Sequence, residues 1–269
     1  MALLSALVWG TGDFAGGLAT RQRSQYQVVA LNSLVGLVCL LIAAVWTAER
    51  LPGPVTLAWS VGAGISGVIG IAALYEGLSV AEAALIAPVA GVTGAALPVV
   101  AGTLLHGLPG PAKWIGIACG LAGIWLVAGE AGAGHGTRGL GLALLSGLGF
   151  GGFFVLIAQV EPGSVFIPLA VSKAAALLFM LLALAVRRSR FPTLSGSRLA
   201  LLAGLCDAAG TVLYLLATHL IRADLAAVLS SMAPAMTVIL ASLICRQKVS
   251  TGQKLGVGFC LVAIALIVG

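Results

Sequence analysis

The chain has 269 residues, 60% hydrophobic and 8% charged, with a mean hydropathy of +1.14. A soluble domain carries about 25% charged residues, so this composition cannot cover a water-facing surface and excludes a soluble fold. The net charge of +6 does not point to nucleic acid, because the basic residues are scattered through short connections without interleaved exposed aromatics.

A polytopic membrane protein follows, with room for roughly ten spans of about 20 apolar residues each and none for a soluble domain. The first predicted span covers 2–20, carries Asp13 within "WGTGDFAGG", and closes at Arg21 and Arg23. No basic segment precedes it, so it reads as a retained span and not a signal peptide. The second, 26–48, closes at Glu49, Arg50 and "LPGP". The third covers 55–78, and the fourth, 82–105, contains Pro88 and Pro98. The fifth, 112–129, runs into "GEAGAGHGTRG". The sixth covers 139–158, and the seventh, 164–186, contains Lys173 and ends in "RRSR". The eighth, 197–220, holds Asp207; the ninth, 224–245, holds Pro234; the tenth covers 251–268. Runs this long in lipid are helices, not strands.

The sequence repeats itself. "LLSALVWGTGDF" at residue 3 returns as "LLSGLGFGGFFV" at residue 144, and Tyr75 aligns with Tyr214. Gly116 near Trp114 matches Gly256. The expected organisation is a five-helix repeat over 1–130, a linker over 131–137 and a second repeat over 138–269. Five spans per repeat force the second to be inverted, a signature of transporters with a binding site near the midplane. At an offset of 141, Lys173 aligns with Asn32.

Basic residues sort by loop: Arg21, Arg23, Arg138, Arg187, Arg188, Arg190, Arg198, Arg246, Lys248 and Lys254 on one side, against Arg50, Lys113 and Arg222 on the other. The positive-inside rule then puts both termini outside the cytoplasm.

Asp13, Lys173 and Asp207 lie near the middles of their spans. A mid-membrane charge costs about 2.5–3.5 kcal/mol, so all three are expected to face the protein interior or water. Small and polar residues share their helical faces: Trp9, Gly16, Gly17 and Thr20 beside Asp13, and Gly204, Gly210, Thr211, Tyr214 and Thr218 beside Asp207. Such a stripe lines a cavity or packs a neighbouring helix. The trio therefore either borders a substrate path, where an aspartate can exchange protons, or forms an internal ion pair that fixes packing.

Pro88, Pro98 and Pro234 interrupt spans four and nine, and "SSMAP" offers Ser230 and Ser231 as polar lining. Glu82 and Asp224, at equivalent repeat positions, suit helix N-termini. The GxxxG pairs Gly12/Gly16, Gly116/Gly120, Gly147/Gly151 and Gly252/Gly256 suit close helix packing. The five cysteines and three histidines have no metal-ligand spacing, and no metal or cofactor is expected. No P-loop or Ser/His/Asp pattern occurs, so transport would be passive, ion-coupled or exchange-driven.

"ALVWGTGDFAGGLATR", "ALYEGLSVAEAALIAPVAGVTGAALPVVAG", "AAVLSSMAPAMTVILASLI" and the closing "GQKLGVGFCLVAIALIV" resemble the EamA-like family of the drug/metabolite transporter superfamily. The resemblance covers nearly the whole chain. It implies a ten-helix inner-membrane carrier, commonly an exporter of amino acids or other small metabolites, with a central cavity between its halves. Trp9 with Gly10 matches the family's first-span "WG", and Ser230 to Pro234 its ninth-span segment. A "GE" pair usual before the last helix of each half is missing here, at "HGLPG" around Gly107 and "RQKVS" around Gln247. The resemblance also implies cytoplasmic termini, against the loop charges, so both orientations stay open.

The expectation is an all-α integral membrane protein of the cell membrane, ten helices in two inverted repeats, with spans 1, 3, 4, 6, 8 and 9 lining the cavity. It acts as a secondary transporter of a small-molecule substrate, coupled to protons or other ions or driven by exchange, as a monomer or homodimer and without nucleic acid. The cavity candidates are Trp9, Asp13, Tyr75, Lys173, Asp207, Tyr214, Ser230 and Ser231. The rival expectation is a membrane-embedded enzyme or sensor using the Asp13/Lys173/Asp207 trio, and a third is a structural membrane subunit without a cavity.

Overall fold

A computed structural model describes residues 1–106, 110–129, 136–161, 163–192, 197–220, 223–246 and 250–268. The positions where the "GE" pairs are missing, around Gly107 and Gln247, lie outside these residues, as does the side chain of Asp224. Among the described residues there are eleven helices and no strand. They are α1 (Ala2–Ala19), α2 (Gln25–Trp46), α3 (Pro54–Val80), α4 (Ala83–His106), α5 (Pro111–Gly129) and α6 (Gly136–Ile157). Then follow α7 (Phe166–Val186), α8 (Arg198–Leu220), α9 (Ala223–Ser230), α10 (Ala233–Cys245) and α11 (Thr251–Val268).

The helix ends follow local chemistry. Ser24 caps α2, its hydroxyl accepting from the Gln27 N–H at 3.4 Å. Pro54 and Pro111 open α3 and α5, where a missing N–H is harmless. Helices α2 and α7 end alike, with Ala48 and Arg188 in the left-handed region at φ 48° and 51°. In each, the next N–H reaches back to a carbonyl five residues earlier: Glu49 to Ala44 at 3.1 Å, and Ser189 to Leu184 at 2.9 Å. The expected ninth span is not one helix. It breaks at Ser231 and Met232, with Pro234 in the first turn of α10, while α4 keeps Pro88 and Pro98 inside a continuous helix.

Among the described residues, six helices are long and apolar enough to cross a membrane: α1, α2, α3, the 138–157 part of α6, α7 and α8. Large apolar side chains face outward, among them Leu41, Ile42, Val45, Leu178, Leu182 and Leu205. The interior is rich in alanine, glycine and serine beside buried leucine, isoleucine and valine, with Tyr75 and Tyr214 its largest fully buried side chains. Close packing between small residues is how helices associate when the surroundings are as apolar as the core.

Packing between the halves is reciprocal. Helix α1 lies on α8 while α6 lies on α3; α2 pairs with α7, and α5 with α11. The details repeat too. A Cβ on Gly210 would stand 2.5 Å from Trp9 Cδ1, and one on Gly70 would stand 3.0 Å from Phe150 Cδ1. Gly204 rests against the carbonyl of Asn32 as Gly64 rests against that of Ser172. Both members of that second correspondence are 140 residues apart, so this packing registers Lys173 with Ser33 and not with Asn32 as the 141 offset predicts. The repeat drifts by one residue between its first and second helices. The GxxxG glycines serve packing within the fold: Gly12 faces Cys206, Gly16 faces Tyr75, Gly120 faces Val92, and Gly147 and Gly151 face Thr93 and Leu97.

Candidate functional site

The helices enclose a cavity of ≈ 100 Å³, room for several waters or one small solute. Helices α1, α3, α4, α6, α8, α9 and α10 line it as expected, but so do α2, through Asn32 and Ser33, and α7, through Ser172 and Lys173. Both enter because glycines 64 and 204 let α7 and α2 approach backbone to backbone.

The polar wall comes from α1, α2, α7 and α8. Lys173 Nζ donates to Asp207 Oδ2 in an ion pair whose side chains are each only 14% exposed. The lysine stem lies over Gly36, where a Cβ would come within 3.3 Å of its Cδ. Asp207 is held further through its backbone: its carbonyl accepts from Thr211 Oγ1 at 2.6 Å and from Trp9 Nε1 at 3.3 Å. Asp13 lies on the cavity wall one helical turn after Trp9, and Asp207 lines the same cavity. Its carboxyl has no hydrogen-bond or ion-pair partner among the described residues. The rest of the lining is largely apolar, with Val68, Ile71, Phe150 and Phe153 prominent.

Six of the eight predicted site residues, Trp9, Asp13, Lys173, Asp207, Ser230 and Ser231, come together around this cavity. The two serines spend their hydroxyls on helix carbonyls: Ser230 on Ala2 at 3.3 Å, Ser231 on Ala227 at 2.6 Å. Tyr75 and Tyr214 are corrections. Neither is a lining residue, and both are fully buried behind the wall. Tyr75 slots its ring onto Gly16 and accepts a hydrogen bond from Asn32 Nδ2 at 3.3 Å. Tyr214 packs its ring against Trp9 and Phe154, centroids 5.8 and 4.9 Å away, and its hydroxyl has no partner among the described residues. Sequence reasoning missed Phe150, Phe153 and Phe154 as lining. The signal was present, since Phe150 occupies the position of Trp9 in the second copy of the repeat.

Elsewhere, Glu76 pairs with Arg138 at 2.6 Å, bridging α3 and α6. Glu49 caps α7 from the end of α2, accepting from the Val165, Phe166 and Ile167 N–H groups at 2.8, 2.7 and 3.2 Å.

A helical bundle with an apolar exterior and ionisable side chains gathered around an internal cavity fits a membrane carrier. The chain belongs to the EamA-like transporter family, which matches it twice, over residues 1–129 and 137–269. With several membrane-length apolar helices in such a family, it is a multi-pass membrane protein. No curated protein matches it. One solved crystal structure, described only as that of a protein, superposes with a TM-score of 0.67 at 19% identity, covering 98% of this chain and 96% of the other. At that identity the likeness concerns the fold alone.

Proposed function

We propose that this protein is a secondary transporter of the cell membrane that exports a small metabolite, an amino acid or related amino compound, by proton coupling or exchange. Ten spans are read from the eleven helices by joining α9 and α10, arranged as inverted repeats over 1–130 and 138–269. The repeats rock about the cavity, presenting it to each side in turn. Asp13 binds the proton or cationic group, and Lys173 with Asp207 fixes the polar wall. The reciprocal packing of the halves supports this motion, because each helix in one repeat has a counterpart meeting the other repeat.

The observation that carries the reading is the cavity itself: three charged side chains enclosed between helices with apolar outer faces. Structural ion pairs need no hollow beside them. The test is flux into liposomes containing the purified chain, across a panel of amino acids and metabolites, with and without a proton gradient. Gradient-driven uptake of one class, lost in Asp13→Asn, is expected. Gradient-driven flux unchanged in that variant removes Asp13 from the mechanism, and no flux of any compound refutes the carrier reading.

A further inference from the structure

The end of the bundle where α1 and α10 finish carries a second, shallower hollow, which shares no lining residue with the central cavity. Phe14, Gly17, Leu18 and Arg21 line it from α1 and its outgoing turn, and Thr237, Ala241 and Cys245 from α10. Leu78, near the end of α3, and Ala83, at the start of α4, complete it. It runs from residue 21 back to 14 on one side and from 245 back to 237 on the other, about 10–12 Å along the helix axes. Its enclosed volume is only ≈ 20 Å³, room for a water and not for a solute. It is a groove on the outer surface, with Phe14, Leu18 and Cys245 half-buried along it.

The groove changes character along its length. Inward it is dry: Phe14, Leu18, Leu78 and Ala241 are apolar, and the Thr237 hydroxyl is spent on the Gly10 and Ala233 carbonyls at 3.1 and 3.3 Å. At the mouth it is cationic. Arg21 lines it and is exposed. Arg246, also exposed, follows Cys245, and its backbone N–H closes on the carbonyl of the lining residue Ala241 in a left-handed turn at φ 51°. Against the two arginines stands Glu82, the residue before Ala83, which leaves the mouth net positive.

An apolar trough ending in guanidinium groups matches a molecule with an acyl chain and an anionic headgroup. A zwitterionic lipid offers the same chain, but its own ammonium opposes the arginines. A soluble anion would use the mouth and leave the trough empty.

We propose that this groove binds one anionic phospholipid, with its phosphate between Arg21 and Arg246 and the start of an acyl chain along Phe14 and Leu18. Basic residues at helix ends also set topology, so the test compares equal charge removed at the groove and away from it. Arg188 and Arg190 serve for the second. They stand at the same end of the bundle, where Gln27 Nε2 at the start of α2 donates to the Arg190 carbonyl at 2.9 Å. Both are exposed, and neither lines the groove.

Native mass spectrometry of the purified full chain, titrated in detergent with dioleoyl phosphatidylglycerol or dioleoyl phosphatidylcholine, reads the binding. The first phosphatidylglycerol is expected to bind roughly thirtyfold more tightly than phosphatidylcholine, from two arginines at one headgroup. Arg21→Gln/Arg246→Gln is expected to lose most of that preference, and Arg188→Gln/Arg190→Gln, with the same net charge, to keep it. Leu18→Trp fills the trough and is expected to weaken both lipids with the arginines intact. Thermal unfolding of the lipid-free proteins reads folding separately. Equal losses in the two double variants would mean a diffuse surface field and overturn the site. Equal binding of the two lipids would also overturn it. Displacement of phosphatidylglycerol by millimolar inorganic phosphate would make the mouth a site for a soluble anion and refute the lipid as occupant. Each of these results leaves the carrier reading, which flux tests, untouched.

Discussion

Replacing Lys173 by methionine removes the ammonium that neutralises Asp207 and leaves two uncompensated carboxyls around one cavity. Removing one partner of a buried ion pair costs about 3–5 kcal/mol, and a lone mid-membrane charge about 2.5–3.5 kcal/mol. Both side chains are 14% exposed, toward a hollow with room for water, so the lower part of the range applies: about 3 kcal/mol. For a chain of this length that corresponds to a fall of roughly 6–12 °C in Tm. Asp207→Asn should lose less, because the amide oxygen still accepts from Lys173. The double variant Lys173→Met/Asp207→Leu removes both charges together and should return close to the parent stability. Thermal unfolding in detergent of the parent, Lys173→Met, Asp207→Leu and the double variant measures the coupling. Single losses below about 1 kcal/mol that simply add in the double variant would refute the argument, since they would mean the pair is hydrated and energetically idle.

Further outcomes are expected of single substitutions elsewhere in the fold. Tyr214→Phe deletes a buried hydroxyl without a partner among the described residues and should leave Tm unchanged or raise it, whereas Tyr75→Phe breaks the bond from Asn32 and should lose about 1 kcal/mol. Gly204→Ala would put a Cβ 2.8 Å from Val35 Cβ and 2.9 Å from the Asn32 carbonyl oxygen, for a loss of about 1–3 kcal/mol in thermal unfolding. Gly141→Ala, with open space around it, should be neutral or stabilise by up to about 1 kcal/mol. Glu49→Ala removes three hydrogen bonds from the start of α7 and should speed amide exchange at residues 165–167, with a stability loss of about 1–2 kcal/mol.

Much of the molecule was legible in the chain. Hydropathy runs bounded by arginine, proline and glycine placed the helices nearly to the residue, as at α8, expected over 197–220 and found over Arg198–Leu220. These are local properties, and a helix surrounded by apolar material forms wherever the run is long enough. The oddity of Asp13, Lys173 and Asp207 was legible for a similar reason, because a charge inside such a run has a cost readable from sequence alone.

What the sequence could not decide was which neighbour each face meets. In a soluble helix the apolar stripe points inward, but here both faces of most helices are apolar, and hydropathy does not say which one is inside. Sequence gave Tyr75 and Tyr214 the same chance as Trp9 of facing the cavity. The approach of Gly16 to one ring, and the stacking of Trp9 and Phe154 on the other, put both tyrosines behind the wall. Likewise, either aspartate could have taken Lys173. The choice of Asp207, and with it the isolation of Asp13, follows from how α2, α7 and α8 pack together. Those contacts join residues far apart in the chain through glycines that let backbones touch. The distances between helices, and so the partner of each buried charge, exist only once the halves have closed on each other.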